Sequence, residues 1–136
     1  MNLVFMGNPS FAIPALVKLA ASDNQIVAVV SNPPQKMGRG KKIRETAIAV
    51  KAKSMGLQVI QQQDLKSVHF KRELEQLNAD LFVVVAFRIL PKSLITIPKL
   101  GSINLHGSLL PAYRGAAPIQ WALINGEDET GLSTFF

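Results

Sequence analysis

Short apolar runs recur along this chain, and segments with helical spacing separate them. Leu3 to Met6, Ile26 to Val30, Leu57 to Ile60 and Leu81 to Ala86 each place apolar residues at nearly every position. A strand covered on both faces reads this way, because its alternating side chains meet helices above and below the sheet. Between the runs, Asn8-Pro9-Ser10 opens a helix whose apolar Ile13, Leu16, Val17 and Leu19 fall near helical spacing. A second helix is expected from about Ile43 to Met55, closed by Gly56, and a third from Ser67 to Asn78 with Phe70, Leu74 and Leu77 on one side. Leu90-Pro91 restarts the chain into a short helical or irregular segment ending near Pro98. Ser102 to His106 is expected as a fifth strand, Ala116 to Asn125 as a helix closed by Gly126, and Gly131 as the start of a sixth strand.

Strand and helix alternate throughout, which predicts an α/β fold: a Rossmann-like open, mostly parallel sheet with helices on both faces and right-handed crossovers. The chain has 136 residues, 48% of them hydrophobic. A single domain of this size buries about two-thirds of its unfolded surface. A chain that closes on Phe135-Phe136 at the start of a strand reads as cut inside its fold, near the beginning of strand six. There is no cysteine, which excludes disulfides, thiolate nucleophiles and thiolate metal sites. The start MNLVFMGNPSF shows no basic leader, and no apolar run reaches bilayer length, so a soluble cytoplasmic protein is expected.

The net charge is +6, and its location is informative. Lys36, Arg39, Lys41, Lys42, Arg44, Lys51 and Lys53 stand against the single acid Glu45, so this stretch carries the whole excess. A local basic patch on a neutral body suits a polyanionic partner, or a solvated loop. The Met37-Gly38-Arg39-Gly40 stretch, with two glycines and no apolar period, is expected as an exposed loop.

Polar residues at strand ends narrow the chemistry. Ligands of open parallel sheets bind beyond the carboxyl ends of the strands. Asn104 and His106 are two apart on one strand, so both side chains face one side. Desolvating an amide and an imidazole there is costly unless each meets a ligand or a partner. Asn supplies a neutral donor to a developing oxyanion and His can donate a hydrogen bond or a proton, which suits a reaction at a carbonyl. The alternative is a pair satisfied by loop carbonyls. Gly107 to Gly115, with Leu109-Leu110-Pro111 inside it, offers a stiff apolar wall for a flat ring ligand, and Phe87 to Pro91 would approach it from the neighbouring strand. Gly7-Asn8-Pro9-Ser10 is an anion-site candidate or a plain turn; it lacks the three glycines of a dinucleotide fingerprint. His69 lies among charged residues as a surface group. No nucleophile elbow surrounds any serine, and two dissimilar histidines do not suggest a metal site.

FMGNPSFAIPAL, GRGKK from Gly38 to Lys42, and above all NLHGSLLPAYRGAAPIQWALINGEDETG from Asn104 to Gly131 resemble the methionyl-tRNA formyltransferase branch of the folate-dependent formyltransferase family. The resemblance covers essentially the whole chain as a partial formyltransferase domain, residues 1–136. It implies transfer of a formyl group from N10-formyltetrahydrofolate to the α-amine of methionyl initiator tRNA. Asn104 and His106 match the family's catalytic Asn and His; its catalytic Asp, in an LDTG-like setting, and its C-terminal tRNA-binding domain fall outside these residues. An inactive fragment of a normal, monomeric enzyme is therefore expected, without a metal. The same resemblance makes Phe87, Arg88, Ile89 and Leu90, with Ser108, Leu109, Leu110 and Pro111, the pterin pocket, and Arg39, Lys41 and Lys42 the tRNA contact. Two departures stand out: Asn8 where the family commonly has Thr, and Phe87-Arg88 where a longer Tyr-Gly-containing stretch is usual. Alternatives from the residues are formyl transfer to another acceptor, hydrolysis of the formyl donor, or a non-catalytic nucleic-acid-binding domain, which leaves Asn104 and His106 unexplained.

Overall fold

In the computed structural model, which describes residues 1–37 and 42–136, the continuous apolar runs form the centre of a six-stranded sheet. The strands are β1 (Asn2–Gly7), β2 (Gln25–Ser31), β5 (Val59–Gln61), β6 (Leu81–Val85), β7 (Ser102–His106) and β8 (Ser133–Phe135), in the spatial order β5-β2-β1-β6-β7-β8. All neighbours pair parallel except β7 and β8, which are antiparallel. β1 is central, and the order reverses direction on either side of it. Such a reversal opens a crevice at the carboxyl ends of the strands.

Each face of the sheet has its own core. Val4, Met6, Val30, Phe82 and Val84 pack against Phe70 and Leu74 of α3 (Val68–Gln76) and Leu94 of α4 (Lys92–Ile95). Phe5, Val29 and Val85 pack against Leu16 of α1 (Ile13–Ala20) and Ile48 and Ala52 of α2 (Ala47–Ser54). Alternate residues of one strand thus serve opposite layers, as the unbroken apolar runs require. Gly7 closes β1 at a tight point: a Cβ there would stand 3.0 Å from the Val85 carbonyl oxygen and 3.2 Å from the Ala12 Cβ, so its neighbours would have to shift.

The structure departs from the sequence reading at several places. Lys42–Arg44 is not helical but forms β4, paired antiparallel with β3 (Gln35–Met37) in a separate two-stranded ribbon. The following helix starts only at Ala47, because Thr46 is its N-cap and its hydroxyl accepts the Ala49 N–H at 3.1 Å. Ile43, taken as the first apolar position of that helix, is 70% exposed. The helix after Gly7 begins as a short 3-10 turn, Ser10–Ala12, before α1. α5 (Pro118–Ile124) is two residues later at its start than Ala116, since Ala117 adopts a left-handed backbone with φ 55°. Gly38, Arg39, Gly40 and Lys41 lie outside the described residues, and with them two of the three residues assigned to tRNA contact.

Candidate active site

β6 and β7 end side by side, and the chain leaves each of them through an irregular turn. Ala86 has a positive φ of 48°, which bends the chain away from β6 directly into Phe87 and Arg88. After β7, buried Gly107 and Ser108 lead into a loop that runs back to α5. These two exits, with Pro9 and Phe11 from the end of β1, enclose a cleft of about 1020 Å³. A cleft that size holds a drug-sized ligand, and its mostly apolar wall with few polar groups is typical of such sites.

Asn104 and His106 both line this cleft. Asn104 stands beside Val84 in the β6–β7 register, so it takes the face of the sheet that carries α3 and α4. Its carboxamide has no hydrogen-bond partner among the described residues, although the strand around it is half-buried. His106 Nε2 lies 3.0 Å from the Tyr113 carbonyl oxygen. A carbonyl can only accept, so Nε2 carries the proton in that contact and Nδ1 is the nitrogen left over. Tyr113 itself is held in a left-handed conformation (φ 53°). Its hydroxyl donates to Glu127 Oε1 and accepts from Asn125 Nδ2 at 3.2 Å. The bond to Glu127 pushes the phenol's pKa upward, as expected for a hydroxyl whose proton is shared with a carboxylate.

The eight residues assigned to the pterin pocket divide. Phe87, Arg88, Ile89 and Leu110 line the cleft, and Ile89 is 98% exposed at its rim. Leu90 instead packs against the core cluster under α3 and α4. Ser108 is fully buried; its hydroxyl donates to the Ala112 carbonyl at 2.7 Å, and its own carbonyl accepts from Ser133 Oγ at 2.8 Å. Leu109 turns outward beside Gly131, and Pro111 follows a cis peptide bond after Leu110. Neither lines the cleft. The Leu110 N–H donates to Ser133 Oγ at 3.0 Å, so β8 braces the loop from its far side.

Arg88 is committed within the protein. Its guanidinium donates to the backbone carbonyls of Gln62 and Gln63, tying the exit of β6 to the exit of β5, and it stacks 5.2 Å from the Phe87 ring centroid. Its Nε is buried without a partner. Burial of the guanidinium lowers its pKa from the ordinary arginine value. Asn8 does not line the cleft; Ser31 Oγ and the Asn32 N–H both donate to its Oδ1, at 3.2 and 2.9 Å. Of the basic residues assigned to tRNA, Lys42 is described, exposed on β4. The cleft residues that sequence reading missed include Phe11, Ala86 and Gln120, while Arg114 belongs to the Gly107 to Gly115 loop already singled out. The positions of the first three, after strands β1 and β6 or at the start of α5, are the only signal that could have pointed to them.

Among the described residues, no group of three or more His, Asp or Glu side chains gathers where a metal could be held, and no helix is long and apolar enough to cross a membrane.

A mostly parallel sheet with an Asn and a His facing one cleft at the end of β7 defines an enzyme-like α/β site, and comparison with known proteins gives it a family. Residues 1–136 match the family described as Formyl transferase, and the chain belongs to it. It is 47% identical over 135 residues to a methionyl-tRNA formyltransferase of Geobacter metallireducens, covering 98% of this chain and 43% of that protein. It is 48% identical to a protein of the same name from Parabacteroides distasonis, covering all of this chain and 42% of that one. The chain thus spans less than half the length of these relatives. Among solved structures, phosphoribosylglycinamide formyltransferase from Anaplasma phagocytophilum aligns with a TM-score of 0.78 at 23% identity, over 100% of this chain and 64% of the other. A formyltetrahydrofolate deformylase from Pseudomonas syringae aligns at 0.71 and 21% identity, over 98% of this chain and 44% of the other. These two likenesses establish the shared fold.

Proposed function

We propose that this segment is the donor-binding and catalytic part of a cytoplasmic methionyl-tRNA formyltransferase, which moves a formyl group from N10-formyltetrahydrofolate to the α-amine of methionyl initiator tRNA. The observation that carries the reading is the unpartnered Asn104 carboxamide, set two residues from His106 on one strand and facing the same cleft. Relatives at 47% and 48% identity that carry this activity in their names support the choice of acceptor. The flat pterin of the donor suits the apolar wall of Phe87, Ile89 and Leu110, with backbone groups of the two loops at its edge.

In this reading the amine attacks the formyl carbon, a carbon–nitrogen bond forms, and the carbonyl pair moves onto oxygen. Asn104 Nδ2–H donates to that oxyanion, a donor that is neutral and already in place, so little reorganisation is needed. His106 gives a second hydrogen bond through Nε2–H, which leaves the Tyr113 carbonyl to reach that oxygen. When the intermediate collapses, the bond from carbon to N10 breaks, N10 takes a proton and the former amine loses one. The exposed cations of the β3–β4 ribbon, Lys36, Lys42 and Arg44, supply attraction for acceptor phosphates. The working unit is a monomer.

The test is formyl transfer to charged initiator tRNA by the full-length protein carrying these residues, with Asn104→Ala and His106→Ala beside it. Each substitution is expected to slow transfer by roughly 100- to 1000-fold while donor binding persists. Transfer to a purine precursor or to water in place of tRNA would move the protein to another branch of the family. Unchanged rates in both variants would remove the site assignment.

A further inference from the structure

The Gly7-Asn8-Pro9-Ser10 turn has no part in the chemistry above, yet Asn8 accepts three hydrogen bonds at the carboxyl end of the sheet. Ser31, the last residue of β2, is fully buried, and its hydroxyl contacts both Asn8 Oδ1 at 3.2 Å and Thr46 Oγ1. Proton accounting gives the chain a direction. Asn8 Oδ1 can only accept, so it takes the single Ser31 proton, and Thr46 must then donate to Ser31 Oγ. Thr46 Oγ1 in turn accepts the Ala49 N–H at 3.1 Å. The Asn32 N–H arrives at Asn8 Oδ1 from the other side at 2.9 Å, and the Asn8 carbonyl accepts the Ile48 N–H at 3.2 Å.

The geography of these residues is what matters. Ser31 and Asn32 are where the chain leaves the sheet for β3, and Thr46 is where it returns from β4 to α2. Between the two points lies the basic ribbon, whose described residues Lys36, Lys42, Ile43 and Arg44 are all exposed, so they bury nothing that would anchor it. Beyond Asn8, Pro9 and Phe11 line the cleft.

We infer that Asn8 is a positioning residue whose carboxamide oxygen holds the outgoing foot of the basic ribbon directly, at Ser31 and Asn32, and the returning foot through the Ser31–Thr46 link, fixing where the cations stand relative to the cleft. This rests on the proposed function only for its consequence, namely that acceptor tRNA is presented in register with the formyl donor. The clamp itself is independent of what the protein binds.

Two measurements on the full-length protein keep those parts separate. The first is amide hydrogen exchange without substrates. In Asn8→Ala the β3 and β4 amides are expected to exchange about tenfold faster or more, with β6 and β7 unchanged, while Asn8→Asp, which keeps an acceptor oxygen, behaves as wild type. Thr46→Val cuts the same chain one link away and should also free the ribbon; it decides the matter if Asn8→Ala loses protection everywhere. Ribbon amides as slow as wild type in Thr46→Val, or in a folded Asn8→Ala, would overturn the clamp. The second is steady-state kinetics: Asn8→Ala is expected to raise the KM for methionyl-tRNA about tenfold, leaving kcat and the KM for the formyl donor within about twofold. A fall in kcat with the tRNA KM unchanged would contradict a positioning role. A wild-type protein that does not formylate methionyl-tRNA would defeat the functional reading and leave the exchange result standing.

Discussion

At the amino-terminal end of the sheet the Asp80 carboxylate accepts the Asn2 backbone N–H at 2.7 Å and Lys99 Nζ at 3.0 Å, whereas at the carboxyl-terminal end the Asn104 carboxamide has no protein partner among the described residues. Both side chains belong to the same half of the sheet, at the start of β6 and within β7. Asp80 joins β6 to β1 at one end of their pairing and completes a structural account. Asn104 leaves its account open toward a cleft. The backbone follows the same division: Ala86, Tyr113 and Ala117, three of the four non-glycine residues with positive φ among those described, all lie around the cleft. Polar groups and strained turns that folding alone does not require are gathered where a ligand would repay them.

This contrast can be broken most directly at Asn104. Asn104→Ala should cost roughly 100- to 1000-fold in formyl transfer, with a melting temperature close to wild type, because no internal hydrogen bond is lost. Asp80→Ala should do the reverse, lowering the melting temperature while the transfer rate stays the same. Matching losses of stability in both variants would erase the distinction between the two ends.

Gly7→Ala probes how tightly the cleft end is built. The new Cβ would meet the Val85 carbonyl and the Ala12 Cβ, neither of which is a flexible side-chain end, so denaturant unfolding should show a loss of about 1–3 kcal/mol. Thr46→Val, which removes the cap of α2, should cost about 1 kcal/mol in the same experiment.

The smallest effect is a pH dependence at the other end. The Asn2 N–H first, and Lys99 second, hold the Asp80 carboxyl below the usual aspartate range. Its folded pKa is therefore below the unfolded one. Its contribution is present above the unfolded value and is lost as pH falls through the folded value. Melting curves of wild type and Asp80→Asn should differ near neutrality and converge in acid; a constant offset at every pH would contradict the assignment.

The central strands were legible because burial on both faces leaves an unbroken apolar run, and α3 because Phe70 and Leu74 keep helical spacing on an otherwise polar segment. The β3–β4 ribbon was not, since neither of its short strands carries the alternation that burial on one face writes into a sequence. The start of α2 was recoverable from Thr46, a capping residue directly before Ala47. The antiparallel direction of β8 depends on where Ser133 meets Ser108 and Leu110, contacts formed by tertiary structure. At the site, the i, i+2 spacing was enough to bring Asn104 and His106 to one cleft. The loop assignments were coarser, because nothing local says that Ser108 turns inward to Ala112 or that Arg88 reaches back to Gln62 and Gln63.

Whether Asn104 and His106 serve a single oxygen is decided by a double-mutant cycle on formyl transfer in the full-length protein, comparing Asn104→Ala, His106→Ala and the pair together. Two groups acting on one developing charge should be strongly non-additive, so the double variant should fall far short of the product of the single losses. Losses that simply multiply would mean that the two side chains act independently and that the shared oxyanion site is wrong.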